Sequence, residues 1–223
     1  MEKQLQKIIK ERRSISEFTD KKISNDIIDE LIEIASFAPS STNTQPWYFM
    51  IFQSEDAKNY LWDLIDRGYG KIKEDLKNKN KILGPIYVKS IESFSRYGKF
   101  DKAPLYILVF ARPYDKKILA KMIALADNEK IKEIANESTK TSVAMAMQNL
   151  LLIAHSKGLG ARVKDGIKFF LSDEGLKKEF YDKFLIPQDY TLISGIQMGY
   201  PAEDALKRVA HARLPLDKIR KYY

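Results

Sequence analysis

Residues Pro39 to Trp47 read P-S-S-T-N-T-Q-P-W, and the hydrophobic pattern changes period across them. Upstream, Ile27, Ile28, Leu31, Ile32, Ile34 and Ala35 recur at helical spacing. Downstream, Trp47 to Phe52 is a short apolar run, the pattern of a buried strand. Pro39 ends the helix, because the residue before a proline is pushed out of the right-handed helical region. The stretch is therefore a helix-to-strand junction that carries hydroxyls, two amides (Asn43 and Gln45) and two prolines. A polar loop at a strand end is a common place for a small ligand. The plainer alternative is a turn whose Ser, Thr and Asn side chains cap its own backbone.

Working outward, the same two periods recur. The spacing predicts a short helix over residues 3–11 with Leu5, Ile8 and Ile9 on one face, then a turn from Arg12 to Phe18. Ser24 suits the N-cap of the helix that runs to about Phe37, and Asp26 lies in its first turn, where the macrodipole favours an acid. Leu61, Trp62, Leu64 and Ile65 predict another helix; Gly68, Gly70, Gly84 and Pro85 are expected to break up the chain beyond it. A second apolar strand spans Leu105 to Ala111, followed by a helix from about Lys116 to Leu125 and a polar stretch to Lys140. Ser142 to Ser156 is apolar nearly all round, so a helix there is buried on several sides. Gly158 suits its C-cap. A short strand around Arg162-Val163, a helix capped by Ser172 and a strand from Thr191 to Met198 complete the core. Strands separated by helices argue for an α/β or α+β layered fold, and no linker divides residues 1–223, so one domain is expected.

A chain of 223 residues is long enough for a sizeable core. It has no cysteine, which excludes disulfides, a thiolate nucleophile and a Cys-ligated metal. The start, M-E-K-Q-L-Q-K, lacks a signal-peptide apolar region. The apolar runs fall short of the about 20 residues that span a bilayer. A cytoplasmic protein away from membranes is expected. The formal net charge of +8 suits nucleic acid, an anionic ligand or a solvated surface. The densest lysine stretch, Lys71 to Lys81, is interrupted by Glu74 and Asp75 and has no interleaved aromatics. That pattern fits a solvated helix face better than a nucleic-acid patch.

Other motifs fail on inspection. Gly158-Leu159-Gly160 does not complete G-x-G-x-x-G, and Gly68-Tyr69-Gly70-Lys71 lacks P-loop spacing. Two histidines without cysteine give no zinc pattern, and there is no G-x-S-x-G elbow. His155, on the apolar helix, reads as a core or interface histidine.

Arg12 to Phe18 reads R-R-S-I-S-E-F. With S-S-x-N-x-Q-P-W downstream, it is joined by Gln148-Asn149-Leu150, Gly158-Leu159-Gly160, Gly199-Tyr200-Pro201-Ala202-Glu203 and His211-Ala212-Arg213-Leu214-Pro215. Together these resemble the FMN-dependent nitroreductase family from about Glu11 to about Leu216. The resemblance implies an α+β, nitroreductase-like fold with a central mixed sheet flanked by helices. It implies an intertwined homodimer with FMN in the interface and a tail, residues 214–223, extending onto the partner subunit. It implies NADH- or NADPH-dependent reduction of nitroaromatics, quinones or similar small electron acceptors by a ping-pong mechanism. FMN then carries the chemistry and no side chain acts as a nucleophile. Reductive dehalogenation or flavin fragmentation within the family, and a flavin-storage protein with little turnover, are the alternatives.

FMN needs cations or N–H groups for its phosphate, partners for its ribityl hydroxyls, and donors at its pyrimidine edge and N5. The resemblance assigns the phosphate to Arg12, Ser14, His211 and Arg213, and arginine's planar fork suits phosphate. Many family members carry lysine at the His211 position, so a neutral imidazole there would weaken the site or make it pH-dependent. Arg13 and Ser16 are placed against the ring and ribityl chain. Position 16 is usually Arg or Lys, where a cation stabilises the reduced, anionic flavin. With Ser16 there, either the flavin potential is lower than in relatives or another cation substitutes, with Lys99 and Arg96, before the second strand, as the candidates. Pro39, Ser40, Ser41 and Asn43 match the loop that reaches the flavin of the other subunit, with Gln45 and Trp47 supporting it. Asp165-Gly166 falls where the family offers backbone N–H groups to N5 and O4; the pair also reads as a tight turn.

Overall fold

Leu105–Ala111 forms strand β2, and all of its residues are buried. Side chains alternate across a strand, so an all-apolar strand needs cover on both faces. Leu105, Ile107, Val109 and Ala111 enter one core, and Tyr106, Leu108 and Phe110 enter the other. The computed structural model describes residues 2–79, 84–89, 92, 103–113, 121, 125, 129–207 and 212–222. Within them, Trp47–Phe52 (β1), Gly160–Lys164 (β3) and Thr191–Gly199 (β4) join β2 in the order β1-β2-β4-β3. Every strand pairing is antiparallel. The parallel component of the expected mixed sheet is an isolated bridge, Ser14 to Ala161.

Helices Glu2–Glu11 (α1), Asn25–Ala35 (α2), Glu55–Lys79 (α3), Glu129–Ser156 (α4) and Glu174–Lys183 (α5) are arranged about this sheet. Ile28, Leu31 and Ala35 of α2 and Val143, Ala146, Leu150 and Ala154 of α4 fill the first core. Leu61, Leu64 and Ile65 of α3 and Phe180 of α5 fill the second, with Phe170 from the 3-10 segment Asp165–Ser172. The α+β class expected from the sequence holds.

Several elements differ in detail, each for a tertiary reason. β1 is an outer strand paired to β2 alone, so Tyr48 and Ile51 are exposed while Trp47 and Phe52 are buried. No residue of α1 is buried, and Leu5 and Ile9 are more than half exposed. α3 runs unbroken through Gly68 and Gly70 to Lys79. Gly68 is a crossing point rather than a break: a Cβ there would lie 2.5 Å from the Phe170 Cα. α4 begins at Glu129, well before Ser142, because its polar first half carries no core stripe to announce it. Most of the helix expected over Lys116 to Leu125 lies outside the described residues. Asp173, not Ser172, caps α5: its carboxylate accepts from the Leu176 N–H at 2.9 Å. Ser172 Oγ instead donates to Phe169 O at 2.7 Å.

Two helices end in the same motif with different residues. After α4, Leu159 N–H donates to Ala154 O at 2.9 Å and Gly158 adopts φ +76°. After α5, Ile186 N–H donates to Tyr181 O at 2.9 Å, and Leu185 adopts φ +52°. A left-handed residue with a Cβ costs roughly 1–2 kcal/mol. Leu185 is 89% exposed and has almost no packing to lose. Leu185→Gly is therefore expected to stabilise the fold by about 1 kcal/mol, read as a rise of about 2–4 °C in thermal midpoint. An unchanged or lower midpoint would show that Leu185 makes contacts that offset its backbone strain.

Candidate active site

The Arg12–Phe18 segment lies along the free edge of β3. Ile15 N–H donates to Ala161 O at 3.1 Å, Thr19 N–H to Tyr200 O at 2.8 Å, and Ala202 N–H to Glu17 O at 3.0 Å. Two glycines make room for it. A Cβ on Gly160 would sit 2.7 Å from the Ile15 side chain, and one on Gly199 would sit 2.9 Å from Phe18. The Gly158-Leu159-Gly160 and Gly199-Tyr200-Pro201 stretches are thus the seat of the Arg-rich segment.

Arg12 stands at the end of α1, close enough to Arg213 for the two charges to repel. Burial first, then Arg213 and Arg13, hold the Arg12 guanidinium below the usual arginine value. A half-buried cation beside an exposed one forms a place for an anion. Ser14 is exposed beside them, at its bridge to Ala161. Arg13 uses its guanidinium differently: Nη1 donates to Lys10 O at 2.5 Å and to Arg12 O at 2.9 Å, satisfying carbonyls at the end of α1. His155 of α4 is half-buried in the same neighbourhood. Burial, with help from Arg12 and Arg13 and against Glu11, pushes its pKa below the ordinary imidazole value, so it is neutral near pH 7. Ser16 is half-buried on the same segment. His211, Lys99 and Arg96 lie outside the described residues.

Asp165 and Gly166 come directly after β3 and open the 3-10 segment. Three residue steps along the strand take Ala161 to Lys164, about 10 Å. Lys168 Nζ lies 3.3 Å from Asp165 Oδ1 and donates to Ile193 O at 2.8 Å. A Cβ on Gly166 would meet the Tyr69 hydroxyl at 2.6 Å, so a side chain there would displace Tyr69. Arg12 and Arg213 offer positive charge to an anion, and Asp165 and Gly166 offer backbone N–H groups just beyond β3.

The Pro39–Gln45 loop is held elsewhere. Thr42, Asn43 and Gln45 have left-handed φ values of 49°, 55° and 46°. Such residues cost about 1–3 kcal/mol each and persist where surroundings over-determine them. Here Gln45 N–H donates to Ser40 Oγ at 3.0 Å, and Gln45 Nε2 donates to Asn43 Oδ1 at 3.1 Å. Arg112 Nη2 donates to Gln45 O at 2.6 Å, and Ser41 N–H to Ser142 Oγ at 3.3 Å. Trp47 is buried beneath the loop's end. Pro39 and Asn43 stay exposed. The loop meets α4 at Ser142, whereas the arginine group neighbours it at His155. Those positions are about 20 Å apart along a helix that rises ~1.5 Å per residue.

Arg12 and Arg213 are therefore neighbours, Ser14 bridges to β3, Asp165 and Gly166 follow that strand, and the loop is held at Ser142 of α4. Sequence reasoning missed Arg112, Ser142 and Lys168. Only the i, i+3 spacing of Asp165 and Lys168 was visible as a signal. Among the described residues, no group of three or more His, Asp and Glu side chains is placed to hold a metal ion, and no helix is long and apolar enough to cross a membrane.

The model of the nitroreductase family matches residues 9–200. The chain belongs to the nitroreductase family. A relative from Methanothermobacter thermautotrophicus, provisionally named NADH dehydrogenase/NAD(P)H nitroreductase, is 27% identical over 88% of this chain and 76% of its own length. A relative named iodotyrosine deiodinase, from Haliscomenobacter hydrossis, is 26% identical over 87% of this chain and 78% of its own length. Among solved structures, a BluB-like flavoprotein from Clostridium difficile 630 superimposes with a TM-score of 0.77 at 22% identity, covering 98% of each chain. The likeness extends the shared fold over nearly the whole of this nitroreductase-family chain.

Proposed function

We propose that this chain is an FMN-dependent oxidoreductase that uses NADH or NADPH to reduce nitroaromatics, quinones or similar small electron acceptors. The separation within one chain carries the reading. The loop is held at Ser142, about 20 Å along α4 from His155, the neighbour of Arg12, and this favours a second copy over the flavin's own chain as the source of the loop. On this reading the Pro39–Asn43 loop reaches the flavin of a second copy, and the working unit is a homodimer. Exposed apolar side chains give that dimer surface to bury: Leu5 and Ile9 on α1, Ile134 and Met145 on α4, and Leu214, Leu216 and Ile219 in the tail. The tail, residues 214–223, extends onto the second copy, and the chain works in the cytoplasm, where reduced nicotinamide is available.

When bound, FMN supplies the electron-transfer chemistry. The protein positions it. Arg12, Ser14 and Arg213, joined by His211, hold the phosphate; the Asp165 and Gly166 N–H groups face N5 and O4; Arg13 and Ser16 lie along the ribityl chain and ring. Pro39, Ser40, Ser41 and Asn43 of the second copy close over the ring. The relative named iodotyrosine deiodinase makes reductive dehalogenation a second reading of the same site.

The test is a visible absorption spectrum of the purified protein before and after NADH or NADPH without air. A yellow protein that bleaches, and recovers when a nitroaromatic, quinone or iodophenol is added, is the expected result. A yellow protein that does not bleach would make it a storage protein. A colourless protein that takes up no added FMN would overturn the reading, and a monomeric mass with stoichiometric flavin would overturn the shared site.

A further inference from the structure

Position 16, where a cation would face the pyrimidine edge, is serine. The residues that open the 3-10 segment add a second difficulty. The Asp165 carboxylate is on the residue whose backbone would meet N5 and O4. Two-electron reduction of FMN with uptake of one proton adds a net negative charge to the ring. A carboxylate nearby opposes that charge, and no arginine or lysine at position 16 offsets it.

The structure supplies a cation at this place. Lys168 stands one 3-10 turn after Asp165, and its ammonium is fixed from two directions. It lies 3.3 Å from Asp165 Oδ1 and donates to Ile193 O at 2.8 Å. Ile193 belongs to β4, the strand paired with β3, so the lysine is anchored to the sheet rather than to the turn alone. A lysine that only solvated the surface would not need the Ile193 carbonyl. In the isolated chain the pair is partly exposed, at 38% for the Lys168 side chain and 70% for Asp165, and such a pair contributes little to stability. Cover by a flavin and a second copy would remove water from it, and the same charges would then act more strongly on the ring.

We propose that Lys168 sets the reduction potential of FMN bound at Asp165–Gly166, by holding the Asp165 carboxylate and cancelling its charge. This rests on the flavin reading above. Lys168 is a positioning and charge-balancing residue: it acts through Asp165, and no substrate need touch it.

The test compares the parent with Lys168→Met, Lys168→Arg, Asp165→Asn and the double variant Lys168→Met/Asp165→Asn. Two quantities are measured on each: the dissociation constant of oxidised FMN, by quenching of its fluorescence, and the midpoint potential, by dithionite titration against a reference dye. Lys168→Met leaves Asp165 uncompensated. Its affinity for reduced relative to oxidised FMN should fall about tenfold, a shift of about 30 mV to lower potential for a two-electron couple. Asp165→Asn should shift the potential the other way. Lys168→Arg keeps the charge and should stay near the parent. The double variant, with both charges gone, should return near the parent as well.

A Lys168→Met protein that binds oxidised FMN normally with an unchanged potential would overturn the proposal and leave the flavin site standing. A double variant as low as Lys168→Met would also overturn it, because the effect would not pass through Asp165. Failure of the parent to bind FMN would instead remove the flavin reading on which it rests.

Discussion

The Arg12→Ala variant is expected to bind FMN about ten- to a hundredfold more weakly than the parent, while its ligand-free form melts no lower. The weaker binding comes from the phosphate. Hydrogen bonds to a charged group contribute roughly 1.5–3 kcal/mol, and each 1.4 kcal/mol is a factor of about ten in affinity. The unchanged or higher midpoint comes from the ligand-free chain. Burial, Arg213 and Arg13 all disfavour the charge on Arg12. A base whose folded-state pKa is depressed destabilises the fold while it is charged, and arginine is charged throughout the physiological pH range. Removing it relieves that repulsion and, among the described residues, takes away no ion pair. Fluorescence titration with FMN and thermal unfolding of the ligand-free protein separate the two effects. An unchanged FMN affinity would remove Arg12 from the site. A lower ligand-free midpoint would make it a structural residue instead.

Phe180→Ala is expected to cost about 3–5 kcal/mol. Phe180 has no exposed surface. Its ring meets those of Phe170 at 5.0 Å, Phe184 at 5.4 Å, Tyr181 at 5.9 Å and Phe110 at 6.4 Å between centroids. These rings come from α5 and its C-cap, the 3-10 segment and β2, so this one side chain joins a helix to the sheet and to the segment that opens at Asp165. Natural domains are stable by about 5–15 kcal/mol, so the loss is a large share of the total. For a chain of this size it corresponds to a fall of about 6–20 °C in thermal midpoint. Calorimetry on the ligand-free protein checks it. A fall under about 2 °C would mean that the second core does not depend on α5.

The sequence alone determined the parts whose causes are local. β2 and β4 were legible as apolar runs, because their core contacts come from their own side chains. The helix before Pro39 and the Gly158 terminus were legible because a proline and a left-handed residue act on the adjacent backbone. The family was legible because Arg12 to Phe18, Ser40 to Trp47 and Gly199 to Glu203 each keep a fixed internal spacing. Tertiary structure decided the rest, because those outcomes depend on groups distant in the chain. Gly68 looks like a helix breaker until Phe170 is seen against it. β1 looks like a buried strand until its place at the sheet edge exposes Tyr48 and Ile51. The site residues look like one set until α4 holds the Pro39–Gln45 loop and the Arg12 group at separate points along its length. The sequence around Asp165 does not reveal that its carboxylate is paired with a lysine drawn to the carbonyl of Ile193, twenty-five residues on from Lys168.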